Sequence, residues 1–318
     1  MKGKCLVIGG GGFIGSHLAE GLLSDDYEVR IFDISNFDKR NLISFIHKVE
    51  ICEGDFSNPI DIASALRGID FVYHLVSSTI PSNSVLNPSY DIESNVIPSI
   101  ILLQQCIQAS IQKIVFISSG GTVYGIPEHL PLSESHPSNP ISSYGIAKRT
   151  IESYISLYNK LWGLNACIFR LSNPYGERQN PLGKQGVIPI FLHKAFRKEI
   201  IQVWGNGEVI RDYIYINDVT SALIKAIKIE TPELVYNLGS GVGTSINHIL
   251  DFIKEQVNPS VKINYLESRD FDVPENVLDI TLLLKRFELK NQINLETGLS
   301  IMMKHFQDNG YIGVNKES

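Results

Sequence analysis

The chain has 318 residues, 43% of them hydrophobic, and its 28 basic and 34 acidic residues give a net charge of −6. That size and composition fit a soluble globular protein with one large core or two lobes and exclude a disordered chain. An acidic balance with no basic block or stripe argues against nucleic acid as a partner, and no apolar run approaches the length of a membrane span. Met1-Lys2-Gly3-Lys4 leads straight into an apolar strand pattern and not into a cleavable signal, so the expected compartment is the cytoplasm. Cys5, Cys52, Cys106 and Cys167 are scattered, and three of them sit in apolar patterns, which predicts buried thiols and no disulfide. The eight histidines have no ligand-like spacing with cysteines or acids, so no metal is expected.

In chain order, the apolar strand pattern Lys4–Ile8 runs into Gly9-Gly10-Gly11-Gly12-Phe13-Ile14-Gly15, and residues 16–23 then carry helical spacing. Glycines let the backbone come close to a pyrophosphate, and the helix's free N–H groups and positive dipole end stabilise the anion. This strand, turn and helix fit a dinucleotide fingerprint. The next strand pattern, Glu28–Asp33, ends in an acid about twenty residues on. A carboxylate there accepts the adenosine ribose hydroxyls and repels a 2′-phosphate, favouring NAD over NADP, although Arg30 and Arg40 count the other way.

Apolar strand patterns at residues 49–54, 71–75, 113–118 and 164–171 alternate with helical patterns at 61–66, 91–109 and 144–161. That rhythm predicts an α/β fold with a Rossmann-type, doubly wound parallel sheet, whose strand carboxyl ends gather Gly9, Asp33, Asp55, residues 74–78 and residues 118–121 in one crevice. Beyond about residue 173 the pattern loosens. Residues 1–173 are therefore read as the NAD-binding domain and 174–318 as mainly a smaller α/β substrate lobe, with segments such as Val235–Leu238 returning to the first.

Tyr144-Gly145-Ile146-Ala147-Lys148 places a phenol and an ammonium four residues apart, on one face of a helix. A cation so near a tyrosine favours its phenolate, which predicts a depressed pKa and a catalytic base.

With these features, the chain resembles the extended short-chain dehydrogenase/reductases, specifically the NAD-dependent nucleotide-sugar epimerases and dehydratases, and within them the UDP-hexose 4-epimerases. The resemblance covers nearly the whole chain. Its ordered motifs are Gly9 to Gly15, Gly54-Asp55-Phe56, His74-Leu75, Asn95, Ser118-Ser119-Gly120-Gly121-Thr122-Val123-Tyr124-Gly125, Tyr144 to Lys148, Arg170 to Gly176, and Arg211 to Val219.

The resemblance implies that Tyr144 exchanges a proton with the sugar 4-hydroxyl while Lys148 holds the nicotinamide ribose and keeps Tyr144 acidic. It implies NAD contacts from Gly9, Gly12, Phe13, Ile14, Gly15, Asp33, Asp55, Phe56, Leu75, Ser77 and Asn95. Asn173, Arg211, Arg269 and Asp272 would bind the nucleotide diphosphate sugar, and two arginine forks suit phosphate oxygens. Many members carry a hydroxyl residue where this chain has Gly120; Ser119 or Thr122 would then supply the hydroxyl to the sugar 4-oxygen. Asn276 stands where some relatives carry a bulky residue, which would leave room for a 2-acetamido sugar.

A nucleotide-sugar 4-epimerase is therefore expected, with a 4-ketoreductase of a nucleotide-activated 4-keto-6-deoxyhexose as the alternative. Gly121-Thr122 replaces the acid pair of the dehydratases and disfavours their chemistry. Either expected activity belongs to surface-polysaccharide or glycan precursor supply. Broad apolar faces on residues 95–109 and 151–162 exceed what one sheet can cover and, with the family's habit of pairing these helices, predict a homodimer.

Overall fold

The computed structural model describes residues 2–79, 84, 87–183, 185–268, 273–289 and 292–308. Parallel strands covered on both faces need apolar residues at successive positions. β1 (Lys4–Ile8), β4 (Phe71–His74), β5 (Lys113–Ser119) and β6 (Ala166–Leu171) have that character. With β2 (Glu28–Asp33), β3 (Glu50–Glu53) and β10 (Val235–Leu238) they form a seven-stranded parallel sheet of order β10-β6-β5-β4-β1-β2-β3. The order reverses between β1 and β4, and the crevice outside that switch point is where such sheets bind ligands.

Alternation along each strand feeds two cores. Cys5 and Val7 of β1 join Leu18, Leu22, Tyr73, Val115 and Phe169 on the face covered by α1 (Phe13–Ser24). Leu6 and Ile8 join Val72, Leu102, Cys106, Phe116, Ile151 and Ile155 on the opposite face. That second face is covered by α2 (Pro59–Ala65), α4 (Ile97–Gln108) and α5 (Ser143–Trp162). Cys5, Cys106 and Cys167 are buried, as their apolar settings predict, and Cys52 is half-buried.

The helical pattern at 91–109 is resolved into the short α3 (Pro88–Asp91), a π-helical segment Ile92–Val96, and α4. Pro98 has no N–H to give to the carbonyl four residues back, so the ordinary α-helical bond is missing where the wider turn gives way to α4. α5 is capped by Ser142, whose hydroxyl accepts the Gly145 N–H at 3.1 Å, and it ends at Gly163 in the left-handed region, φ 67°.

After β6 the chain builds a smaller sheet in which β7 (Asn173–Tyr175) and β13 (Glu275–Asn276) run parallel to β9 (Ile210–Tyr215) and β11 (Gly243–Ser245) runs antiparallel to it. β8 (Ile201–Trp204) pairs with β12 (Ile263–Leu266). The α1-side core continues into this lobe through Tyr175, Leu192, Ile214 and Ile249, while β10 pairs with β6 in the large sheet, Val235 opposite Ile168. Among the described residues no helix is long and apolar enough to cross a membrane.

Candidate active site

β1 ends at Ile8 and the chain turns at Gly9, φ +84°, under the carboxyl end of β4. A Cβ on Gly9 would come within 3.2 Å of Val76 N, and one on Gly15 would lie 2.3 Å from Gly9 O. The turn can lie this close to α1 only because Gly15 has no side chain. α1 starts from Gly12 with no side-chain cap, which leaves its first N–H groups, including those of Phe13 and Ile14, to an anion.

Asp33 closes the other side of the turn. Its Oδ2 accepts the Gly11 N–H at 2.9 Å and its Oδ1 the Ile34 N–H at 2.9 Å; partial burial raises its carboxyl pKa while these bonds oppose the rise. The two arginines that could have welcomed a 2′-phosphate are engaged elsewhere. Arg30 donates to the carbonyls of Ala65 (2.7 Å) and Arg67 (2.8 Å) and pairs with Glu50, and exposed Arg40 binds Asp38 through Nε at 2.6 Å. The glycine cradle and Asp33 thus fit NAD.

Asp55 is exposed near the ends of β2 and β3, its carboxylate held below the usual range by the Ser57 hydroxyl (2.7 Å) and N–H (2.8 Å). The Phe56 ring is turned into the core against His74, with centroids 5.1 Å apart. Ser99 Oγ donates to Asn95 O (2.6 Å) and therefore accepts from His74 Nε2 (2.7 Å), which assigns the Nε2–H tautomer. Burial, reinforced by the Lys148 charge, lowers the His74 pKa to about 3 and keeps the ring neutral.

Half-buried Leu75 continues from β4, with its N–H on Ile8 O. Asn95, in the π-helical segment, braces the loop after β4: its Oδ1 accepts the Ser78 N–H at 2.9 Å and its Nδ2 reaches Thr79 Oγ1 at 3.4 Å. Thr79 in turn donates to Asp91, which is fully buried and whose Oδ2 has no partner.

Tyr144 and Lys148 share one face of α5, with Nζ 5.7 Å from the phenol ring centre. Nζ donates to Ile117 O at 2.9 Å and lies 4.8 Å from the Phe116 ring centre. The expected depression of Tyr144 does not occur. Burial and the Asp91 carboxylate push its pKa up to about 12, opposed by a Ser77 hydrogen bond, while burial pulls Lys148 down to about 8 against the attraction of Glu152. Desolvation wins because the ammonium is directed at a β5 carbonyl and not at the phenol oxygen.

The segment after β5 runs beside the start of α5, where a Cβ on Gly145 would meet Thr122 O at 2.7 Å. Ser119 ends β5, and Thr122 Oγ1 is buried with no partner. At Gly120 a Cβ would lie 2.7 Å from Leu278 Cδ1 and 3.0 Å from Arg170 O, so a hydroxyl residue fits here only if Leu278 moves aside. Asn276 is 1% exposed; its Nδ2 donates to Gly120 O at 3.1 Å and its Oδ1 has no partner.

Asn276 pairs with Arg211 across β13 and β9, and Arg211 donates to Ile210 O. Asn173 donates through Nδ2 to Asp212 O at 3.0 Å. Gly120, Asn276 and Arg211 are thus linked by hydrogen bond and strand pairing, with Asn173 bonded to the residue after Arg211, whereas Arg269 and Asp272 lie outside the described residues. Sequence reasoning passes over Asp91, Glu152 and buried Asp212. Asp212 accepts the N–H groups of Ser240 (2.7 Å), Gly241 (3.1 Å) and Leu278 (3.3 Å) and so ties three chain segments beneath the crevice.

A glycine turn at the switch point of a doubly wound sheet, facing a Tyr–Lys helix, defines a dinucleotide-dependent enzyme. The profile of the NAD dependent epimerase/dehydratase family matches residues 5–239, and the chain belongs to that family of nucleotide-sugar enzymes. It is 37% identical over 305 residues to a putative UDP-glucose 4-epimerase of Methanocaldococcus jannaschii, covering 96% of this chain and 98% of that protein. It is 31% identical to a dTDP-4-dehydro-6-deoxyglucose reductase of Escherichia coli, covering 95% and 97%. Among solved structures it is similar to the UDP-glucose 4-epimerase of Thermotoga maritima with UDP-glucose, with a TM-score of 0.91, 32% identity and coverage of 96% and 99%.

Proposed function

We propose that the protein is an NAD-dependent nucleotide-sugar 4-epimerase acting on a UDP-hexose or UDP-N-acetylhexosamine. The observation that carries this reading is the placement of Tyr144 and Lys148 on one face of α5, beside a cradle whose Asp33 suits NAD. Likeness to epimerases over almost the full chain supports the same reading. When bound, the cofactor accepts a hydride and gives it back.

Tyr144 Oη removes the proton of the sugar 4-hydroxyl and, once the 4-keto sugar has turned its other face, returns it to the 4-oxygen. The phenol keeps its proton at neutral pH in the free protein and becomes a base when ligands bring positive charge beside it. Lys148 supplies a fixed cation for the nicotinamide ribose. Arg211 and Asn173 hold the sugar diphosphate, with Arg269 and Asp272 as further contacts. Ser119 or, three residues on, Thr122 supplies the hydroxyl to the sugar 4-oxygen, and Asn276, in place of a bulky residue, leaves room for a 2-acetamido group.

The second reading, a 4-ketoreductase of a nucleotide-activated 4-keto-6-deoxyhexose, is supported by the likeness to the E. coli reductase. Purified protein incubated without added cofactor with UDP-glucose, UDP-galactose and their 2-acetamido forms tests the first reading by NMR. Interconversion supports it. Inertness toward all four, together with NAD(P)H oxidation on a dTDP-4-keto-6-deoxyglucose substrate, replaces it with the second.

A further inference from the structure

Glu152 lies one turn beyond Lys148 on the same face of α5 and is only 1% exposed. Two neighbouring strands grip it. Ser118 Oγ donates to its Oε1 at 2.5 Å, and Arg170 donates from Nε to Oε1 at 3.1 Å and from Nη2 to Oε2 at 2.8 Å. Ser118 and Arg170 are themselves partners across β5 and β6. Lys148 hangs from the residue just before Ser118, through its bond to Ile117 O. Two consecutive residues of β5 therefore hold two side chains one helical turn apart, which locks α5 against the sheet at the height of the catalytic pair.

We propose that Glu152, fixed by Ser118 and Arg170, is a positioning residue that sets the register of Lys148 against β5 and keeps its ammonium charged inside a buried site. An ammonium taken out of water tends to lose its proton, and a carboxylate a turn away restores the cation. Among the described residues, no other anion is placed to do this for Lys148. His74 on β4 is neutral, Asp91 in the helical run before α4 acts on Tyr144, and Tyr144 itself keeps its proton. Arg170 and Arg149 are the cations beside Glu152, with Arg149 Nη1 at 3.5 Å, and Arg170 also stacks over Tyr124 and donates to Glu134 O. Burial holds Lys148 near 8 even with the Glu152 charge in place, so little margin remains at physiological pH.

The inference rests on the reading of Lys148 as the functional cation, but its test needs no turnover. The Lys148 side chain is titrated by carbon-13 NMR at Cε in the cofactor-free protein and in Glu152→Gln, with Lys148→Met to assign the resonance. The expected result is a midpoint lower by about one pH unit or more in Glu152→Gln. An unmoved midpoint in the folded variant overturns the proposal and leaves Glu152 a purely structural residue. Should Arg170, left without its partner, prevent folding, the double variant Glu152→Gln/Arg170→Met removes both charges. A lowered midpoint is again expected there, and an unmoved one again overturns the proposal. A lowered midpoint in a protein inert toward nucleotide sugars would leave this network standing and remove the functional reading alone.

Discussion

Asp33, beside the glycine turn, has both carboxylate oxygens bound to backbone N–H groups, whereas in the segments after β5 and β6 and at β13 Thr122 Oγ1, Ser172 Oγ and Asn276 Oδ1 are buried with no partner. A buried polar atom left unpaired costs about 1–3 kcal/mol. The glycine turn is thus a surface shaped by backbone, whereas the unpaired oxygens on the other side lie beneath the surface and meet a ligand only where their side chains turn toward it. On the proposed reading, recognition at the turn depends on what is missing, a Cβ or a phosphate-binding cation, and recognition of the sugar on side chains that must open to it.

Substitutions on the two sides should therefore fail in different ways. The largest effect is expected where the sides meet: Tyr144→Phe keeps the ring and removes the acid/base, and turnover should fall on the order of a hundredfold or more with the melting temperature nearly unchanged. Retention of most activity would remove Tyr144 from its role. Next, Gly120→Ser forces a side chain into Leu278 and the Arg170 carbonyl, and should destabilise the fold by about 1–3 kcal/mol in denaturant titration. Leu278→Ala in the same chain should recover part of that loss, and the absence of any recovery would show that Leu278 is not what excludes the side chain.

A smaller change is expected from Asp33→Ala, which removes the carboxylate proposed to accept the ribose hydroxyls and repel a 2′-phosphate. The ratio of NAD to NADP affinity should drop about tenfold by calorimetry. An unchanged ratio would mean that another residue reads the ribose.

The smallest effect on chemistry is expected at the outer face of α5. There Ile146, Leu157, Leu161 and Trp162 are exposed, with Ile92 and Ile97 on the neighbouring helical run, and a cavity of about 680 Å³ opens between Ile97, Ile146 and Tyr154. We expect a second copy to cover this face in a homodimer. Sedimentation at micromolar concentration should give twice the 35.5 kDa chain mass, and Ile146→Glu should halve it. A wild-type species at the chain mass would refute the dimer and leave the site untouched.

The contrast between the two sides also explains what the sequence makes legible. Gly9 to Gly15, Asp33 and the Tyr144–Lys148 pair are local patterns whose meaning follows from strand, turn and helix periods, and the structure brings them to one crevice. Glu152 has the same four-residue spacing from Lys148, yet nothing local separates it from an exposed helix acid, because Ser118 and Arg170 reach it from two strands. The Tyr144 shift runs opposite to the expectation because its sign depends on burial and on Asp91, both set by tertiary packing. The absence of a hydroxyl at Gly120 is visible in the sequence, but its cause is not, since Leu278 arrives from more than 150 residues away.

The most direct measurement follows the hydrogen on carbon 4. UDP-galactose carrying deuterium at that carbon is incubated with the purified protein in ordinary water without added cofactor, and the products are read by NMR and mass spectrometry. Transient oxidation with return of the same hydride predicts UDP-glucose that keeps the deuterium at carbon 4. Formation of UDP-glucose with the deuterium lost to water would contradict that account, and so would failure to convert any of the four UDP-sugars by a protein that retains NAD.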